Sequence, residues 1–194
     1  MFKIKNLIIF IAVFFALTFA STKANTYLLI GYDYALPTSD FKDVVSNAMG
    51  IQIKVESRRF CNFWFGANAE YLFIKNKDNV VENVKNIFTF SPNVKFVIYK
   101  NTEINDYKGN LALYLSPGLT FSNIEGKDDL SPLGIGGYGN IGACYGFKMF
   151  SRCATLDFDI KYNLPNFILK DSNRETFQYI TIGLSLGICL WKKY

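Results

Sequence analysis

Apolar and polar residues alternate with a period of two through most of the chain after residue 24. Between residues 154 and 164, apolar side chains occupy the even positions and polar ones the odd positions without a break. Residues 51–60 begin with the same alternation, with isoleucine and valine set against glutamine, lysine and glutamate. In an extended strand, successive side chains point to opposite faces, so each segment presents one apolar and one polar face. A run of about ten residues exceeds the usual globular strand and matches a strand that crosses a membrane.

Six more segments fit this template. They are 26–36, 63–74, 87–99, 109–121, 133–147 and 177–191. The total is an even number of strands, and no later stretch has the length of a spanning helix. The pattern therefore predicts an all-β fold: an eight-stranded antiparallel up-and-down transmembrane β-barrel.

The predicted connections alternate between long and short. The long polar ones are 37–50, 75–86, 122–132 and 165–176, whereas 61–62 and 149–153 are short and 101–108 is intermediate. Outer-membrane barrels have short periplasmic turns and longer extracellular loops. We therefore expect four outer loops and both chain ends on the periplasmic side.

The first 24 residues have the layout of a secretory signal peptide. Lys3 and Lys5 precede an apolar run at 7–20, and small residues follow at 21–24. We expect cleavage after Ala24 and a barrel domain at 25–194; the alternative is an uncleaved membrane anchor. Removal of the leader, with Lys23, lowers the net charge from +5 to +2. This near-neutral balance gives no reason to expect a nucleic-acid partner.

Histidine is absent from the sequence. This excludes Ser-His and Cys-His nucleophile pairs, an imidazole base and histidine metal sites. Asp157 and Asp159 could in principle support carboxylate catalysis on lipid, but their spacing on one strand face is more simply structural. We predict that the protein is not an enzyme and has no catalytic, cofactor-binding or metal site.

The two faces of the strands differ in side-chain size. The polar face is rich in glycine and serine, as expected inside a narrow barrel filled by its own side chains. The apolar face is bulky, and several aromatics fall near predicted strand ends, as in the aromatic girdles of membrane barrels. These are Tyr34, Phe60, Phe63, Phe73, Tyr99, Phe121 and Tyr162. This favours an outer surface in contact with outer-membrane lipid; the alternative is a soluble secreted barrel that binds a small apolar ligand inside.

Charged residues on the polar face are nearly balanced in sign. The positive ones are Lys54, Arg58, Lys95 and Lys161, and the negative ones are Asp33, Glu56, Glu70, Asp157 and Asp159. A selective pore is expected to show a bias of one sign, whereas a balanced set predicts ion pairs that close the lumen. The alternative is that these charges are solvated on the outside of a soluble sheet.

The chain resembles the small eight-stranded outer-membrane barrels of the OmpA and OmpX type. The resemblance is most specific in the last strand, 183–191, which alternates regularly and is followed by the terminal aromatic Tyr194, although Lys192 and Lys193 depart from that pattern. It implies a location in the cell outer membrane and recognition of the last strand by the barrel-insertion machinery. It also implies a structural or surface-interaction role through the four outer loops, with an unidentified extracellular partner.

The chain has four cysteines, all predicted to lie at one end of the barrel. Cys144 and Cys153 have inward parity on either side of a turn near Met149, which predicts a cross-strand disulfide between them. The alternatives are free thiols or a different pairing, since four cysteines allow three full connectivities.

Overall fold

The computed structural model describes residues 25–58, 62–78, 84–101, 109–126, 133–149, 152–169 and 177–191. The described residues form eight strands and one short helix, α1 (Phe41–Val44). The strands are β1 (Asn25–Thr38), β2 (Val45–Arg58), β3 (Phe63–Asn76), β4 (Val84–Lys100), β5 (Asn110–Gly126), β6 (Leu133–Met149), β7 (Arg152–Leu169) and β8 (Gln178–Trp191). The predicted signal peptide, Phe60, Cys61 and Tyr194 lie outside the described residues.

Each strand pairs antiparallel with its sequence neighbour, and β1 pairs with β8 to close the sheet. The predicted fold, an eight-stranded up-and-down barrel, is confirmed. No helix among the described residues is both long enough and apolar enough to cross a membrane.

The apolar face points away from the lumen. Ile30 is 61% exposed, whereas its neighbour on the opposite face, Leu29, is fully buried. We call the exposed band around the middle of the strands the apolar belt. It includes Ile30, Tyr32, Ile51, Ile53, Leu113, Leu115, Leu119, Ile141, Leu156, Phe158, Ile160, Ile182, Leu184 and Leu186. The alternative arrangement, with the apolar face turned into the lumen, is wrong.

The strands are longer than predicted and the outer loops correspondingly shorter. The four connections expected outside shrink to 39–44, 77–83, 127–132 and 170–177. Polar residues such as Ser46, Lys75 and Lys85 belong to strands and are exposed. Past the apolar belt both faces of a strand can carry polar residues, so the alternation that predicts a strand is lost although backbone pairing continues.

Two rims bound the barrel. We call the end with Asn25, Trp191 and the connections 59–62, 101–109 and 150–151 the terminal rim, and the opposite end the loop rim. A bulge between Val97 and Tyr99 lies near the terminal rim, and it leaves both Ile98 and Tyr99 exposed. Of the predicted girdle aromatics, Phe63, Phe73, Tyr99 and Tyr162 are exposed, and Tyr34 and Phe121 are partly so.

Candidate functional site: a lumen closed in three layers

The nine charged residues predicted to line the lumen all lie inside the barrel. None of them is more than 8% exposed. They are Asp33, Lys54, Glu56, Arg58, Glu70, Lys95, Asp157, Asp159 and Lys161. Eight of the nine form ion pairs with one another. We call these nine residues the ion layer.

The largest group of ion pairs crosses the lumen. Lys54 Nζ on β2 lies 3.1 Å from Asp157 Oδ1 and 2.6 Å from Asp159 Oδ1, both on β7. Lys95 Nζ on β4 lies 3.0 Å from Asp157 Oδ2 and also pairs with Glu56. Neither β2 nor β4 is hydrogen-bonded to β7. These contacts therefore span the interior and occupy its centre.

Neutral donors complete the coordination of the β7 carboxylates. The Tyr114 hydroxyl donates to Asp157 Oδ1 at 2.8 Å, and Asn140 Nδ2 donates to Asp159 Oδ2 at 3.1 Å. Tyr114 lies opposite Gly142 in the register of β5 and β6, where any side chain would collide with its ring. The inward glycine thus makes room for the tyrosine that holds Asp157.

A second, smaller ion pair lies apart from this group. Lys161 Nζ lies 2.6 Å from Glu70 Oε2, to which Thr89 also donates at 3.1 Å. The ammonium group of Lys161 is 5.7 Å from the centre of the Tyr138 ring. Tyr138 of β6 lies opposite Gly118 of β5. This is a second tyrosine and glycine pair between β5 and β6, in addition to Tyr114 and Gly142.

Asp33 differs from the other four carboxylates of the ion layer in its lack of a cation partner among the described residues. It is 1% exposed, forms no ion pair with another described residue, and its Oδ2 has no hydrogen-bond partner among them. Four cations therefore meet four paired carboxylates, and the fifth carboxylate has no cation partner among the described residues.

An aromatic layer closes the lumen towards the terminal rim. The Arg58 guanidinium lies between two rings, 4.0 Å from the centre of Tyr27 and 4.2 Å from that of Trp64. It lies 3.3 Å from Glu56 and donates to Cys144 Sγ at 3.2 Å, which joins this layer to the ion layer. Trp64 is 1% exposed, so a bulky indole fills the interior at this level.

An apolar plug closes the lumen at the loop rim, and the alternation along the strands does not predict it. Phe41 of α1 is 3% exposed and packs edge to face on Phe177, with ring centres 4.8 Å apart. The buried members of the plug are Ala35, Phe41, Val45, Ala48, Leu72, Val84, Ile87, Ile124, Phe177 and Tyr179. One signal was available, because Leu72 and Ile87 are large apolar residues at inward positions of their strands.

The predicted disulfide between Cys144 and Cys153 is absent, and both thiols are free. Cys144 lies opposite Asp157, whereas Cys153 lies opposite Lys148. Four residues along a strand span about 13 Å, beyond the Cα separation of about 4.4–6.8 Å that a disulfide tolerates. The prediction failed because the register of β6 and β7 differs from the one expected for a turn centred on Met149.

No family model matches the chain, and no curated protein matches it either. Solved structures do match. Neisserial surface protein A is similar with a TM-score of 0.54 and 10% identity over 85% of this chain and 97% of that one. The outer membrane protein OprG of Pseudomonas aeruginosa is similar with a TM-score of 0.50 and 11% identity over 86% of this chain and 96% of that one.

At these identities the likeness concerns the fold. It extends over most of each chain and agrees with the closed antiparallel barrel described above. The resemblance of this chain to the small eight-stranded outer-membrane barrels is thereby confirmed in its architecture.

Proposed function

We propose that this chain is a non-enzymatic protein of the cell outer membrane, whose closed barrel serves a structural role or presents loops 39–44, 77–83, 127–132 and 170–177 to a partner at the cell surface. The observation that carries this proposal is the set of ion pairs that cross the lumen from β2 and β4 to β7. An ion that entered the lumen would have to displace buried charges from their partners, at a cost of several kcal/mol.

The membrane location is supported by the apolar belt. Isolated exposed apolar residues are ordinary on a soluble protein, but an apolar band that runs across six neighbouring strands, from β5 through β8 and β1 to β2, is not. Outer-membrane lipid is the partner that would cover such a band. The apolar run at 7–20 supports export, and the regular alternation of β8 supports recognition by the barrel-insertion machinery. The names of Neisserial surface protein A and of OprG, an outer membrane protein, agree with this location.

The absence of catalysis is supported by the engagement of the carboxylates. Both oxygens of Asp157 accept hydrogen bonds, from Lys54, Lys95 and Tyr114. A general acid or base needs a proton position that substrate can reach, and Asp157 is fully buried. The soluble alternative, with a small apolar ligand inside, is disfavoured because charged side chains occupy the middle of the lumen.

The closed lumen is tested by single-channel recording in planar lipid bilayers. The protein, folded in detergent and checked by its heat-dependent migration on a gel, should give no stable conductance steps at 1 M KCl. A general porin reconstituted in parallel shows that insertion would be detected. Stable large steps from this chain would contradict the proposal.

The location is tested on intact cells. The protein should leave washed membranes only with detergent, and added protease should cleave only within the four connections of the loop rim. Release by a salt wash, or cleavage at 59–62 or 150–151 in intact cells, would contradict the proposed location and orientation.

A further inference from the structure

Two cysteines, Cys153 of β7 and Cys189 of β8, lie at the terminal-rim end of the pairing between these strands. The pairing of these strands runs to Ala154 opposite Ile188, and one step further in the same register sets Cys153 opposite Cys189. Both have the inward parity of their strands. Cys153 packs against a buried cluster formed by Tyr27, Leu29 and Cys189, so the two thiols share one apolar environment at the terminal rim.

The spacing of this pair suits a covalent bond. Residues directly opposite in antiparallel strands have Cα atoms about 4.5–5.5 Å apart, inside the range of about 4.4–6.8 Å for disulfides. We propose that Cys153 and Cys189 form a redox-modification site, at which a disulfide ties β7 to β8 at the terminal rim. The described structure holds both residues as thiols.

Cys144 is the nearest competitor on β6, but it is engaged elsewhere. Its Sγ lies 2.7 Å from Thr155 Oγ1 and 3.2 Å from Arg58 Nη2. It is also offset from Cys153 along the sheet, as described above. The thiol that Cys153 meets in its own register is therefore that of Cys189.

Oxidation would proceed by exchange with a disulfide-bearing oxidant, such as a thiol–disulfide oxidoreductase or oxidised glutathione. Cys153 is partly exposed and borders a recess of about 30 Å³ at the terminal rim, whereas Cys189 is 6% exposed. The Cys153 thiolate attacks one oxidant sulfur and the other leaves as a thiolate, which gives a mixed disulfide. The Cys189 thiolate then attacks Cys153 Sγ and releases the second oxidant sulfur. One sulfur–sulfur bond forms in the protein, the oxidant gains two electrons, and the two thiol protons pass to its two sulfurs.

This inference rests on the proposed function only for its cellular oxidant, because an outer-membrane protein passes through an oxidising compartment. The geometry stands apart from location. A test on purified protein therefore separates failure of the disulfide from failure of the proposed function, which conductance and cell fractionation address.

The test is peptide mapping of the full chain folded in detergent. The protein is incubated with oxidised glutathione, remaining thiols are blocked with N-ethylmaleimide, and trypsin digestion precedes mass spectrometry without reduction. The four cysteines fall in four different tryptic peptides, 60–75, 128–148, 153–161 and 175–192. We expect a linked species of 153–161 with 175–192, which dithiothreitol separates.

Substitutions provide matched controls. Cys153→Ser and Cys189→Ser should each abolish the linked species, whereas Cys144→Ser should retain it. Linkage of 128–148 to 153–161 in the folded wild-type protein would overturn the proposal. The proposal would also be overturned if peptides 153–161 and 175–192 were recovered separately, each alkylated or carrying glutathione. This outcome is read from the wild-type protein, so it does not depend on whether a variant folds.

Discussion

Asp157 and Asp33 are both buried carboxylates in the lumen, yet they have opposite electrostatic surroundings. Asp157 contacts two lysines and a tyrosine hydroxyl, whereas Asp33 forms no ion pair within the described residues. Removal of one partner of a buried ion pair leaves the other charge buried and uncompensated. Replacement of Asp33 leaves no described charge without its partner, because Asp33 forms no ion pair there.

We therefore expect the two isosteric amide substitutions to differ. Asp157→Asn should lower the free energy of unfolding by about 3 kcal/mol, and Asp33→Asn should change it by less than about 1 kcal/mol or raise it. Reversible urea unfolding of the protein folded in lipid vesicles, followed by tryptophan fluorescence, measures both. Equal losses in the two variants would show that the ion pairs of Asp157 have no special role.

At the residue scale, the sequence predicts which side chains face inward but not which of them meet. Period-two parity places all nine charges in the lumen, as observed. The pairing of Lys54 with Asp157 joins strands that are not neighbours, and it depends on the tilt and stagger of the whole barrel. Local alternation carries no information on stagger. It does not fix the register of a hairpin either, and the predicted pairing of Cys144 with Cys153 was wrong because the register of β6 and β7 differs from the one expected.

At the scale of elements, the parts of the strands that carry the apolar belt were predictable and their extensions were not. A strand that crosses lipid shows an unbroken outward apolar row. β2 extends past its apolar row at Ser46, and β4 does so at Lys85. The helix α1 was missed because four residues give too little helical periodicity. Its role rests on one side chain, Phe41, which lies in the apolar plug.

Phe41 should hold the first loop against the barrel mouth. Phe41→Ala removes its contacts with Phe177 and Tyr179, and loss of a buried phenyl ring costs about 3–5 kcal/mol. We expect backbone amides of 39–45 to exchange hydrogen at least about tenfold faster, while those in the middle of the strands change little. Hydrogen exchange with mass spectrometry measures this, with Lys42→Ala, an exposed neighbour, as the control. Similar exchange in both variants would mean that Phe41 does not anchor the loop.

At the scale of the whole molecule, the usual distribution of residues is inverted. The lumen holds ion pairs between two apolar or aromatic layers, and the apolar belt faces outward. Half of the sequence is hydrophobic, and much of that half lies on the surface. The proposed location implies that lipid covers the belt, and this implication is open to measurement.

The contact of the apolar belt with lipid can be tested with two variants, each of which carries a single arginine at a different position. Leu184 is 52% exposed in the middle of β8, beside Tyr32 and Phe158, which are themselves exposed. If lipid surrounds this position, Leu184→Arg should lower the free energy of unfolding in vesicles by about 2–4 kcal/mol, the cost of arginine near the bilayer midplane. Ser46→Arg, at an exposed position near the loop rim, should cost at most about 1 kcal/mol. On a soluble barrel both arginines would meet water, and each would change the free energy of unfolding by no more than about 0.5 kcal/mol. Equal and small effects of the two substitutions would therefore contradict the membrane location, although they would not contradict the fold.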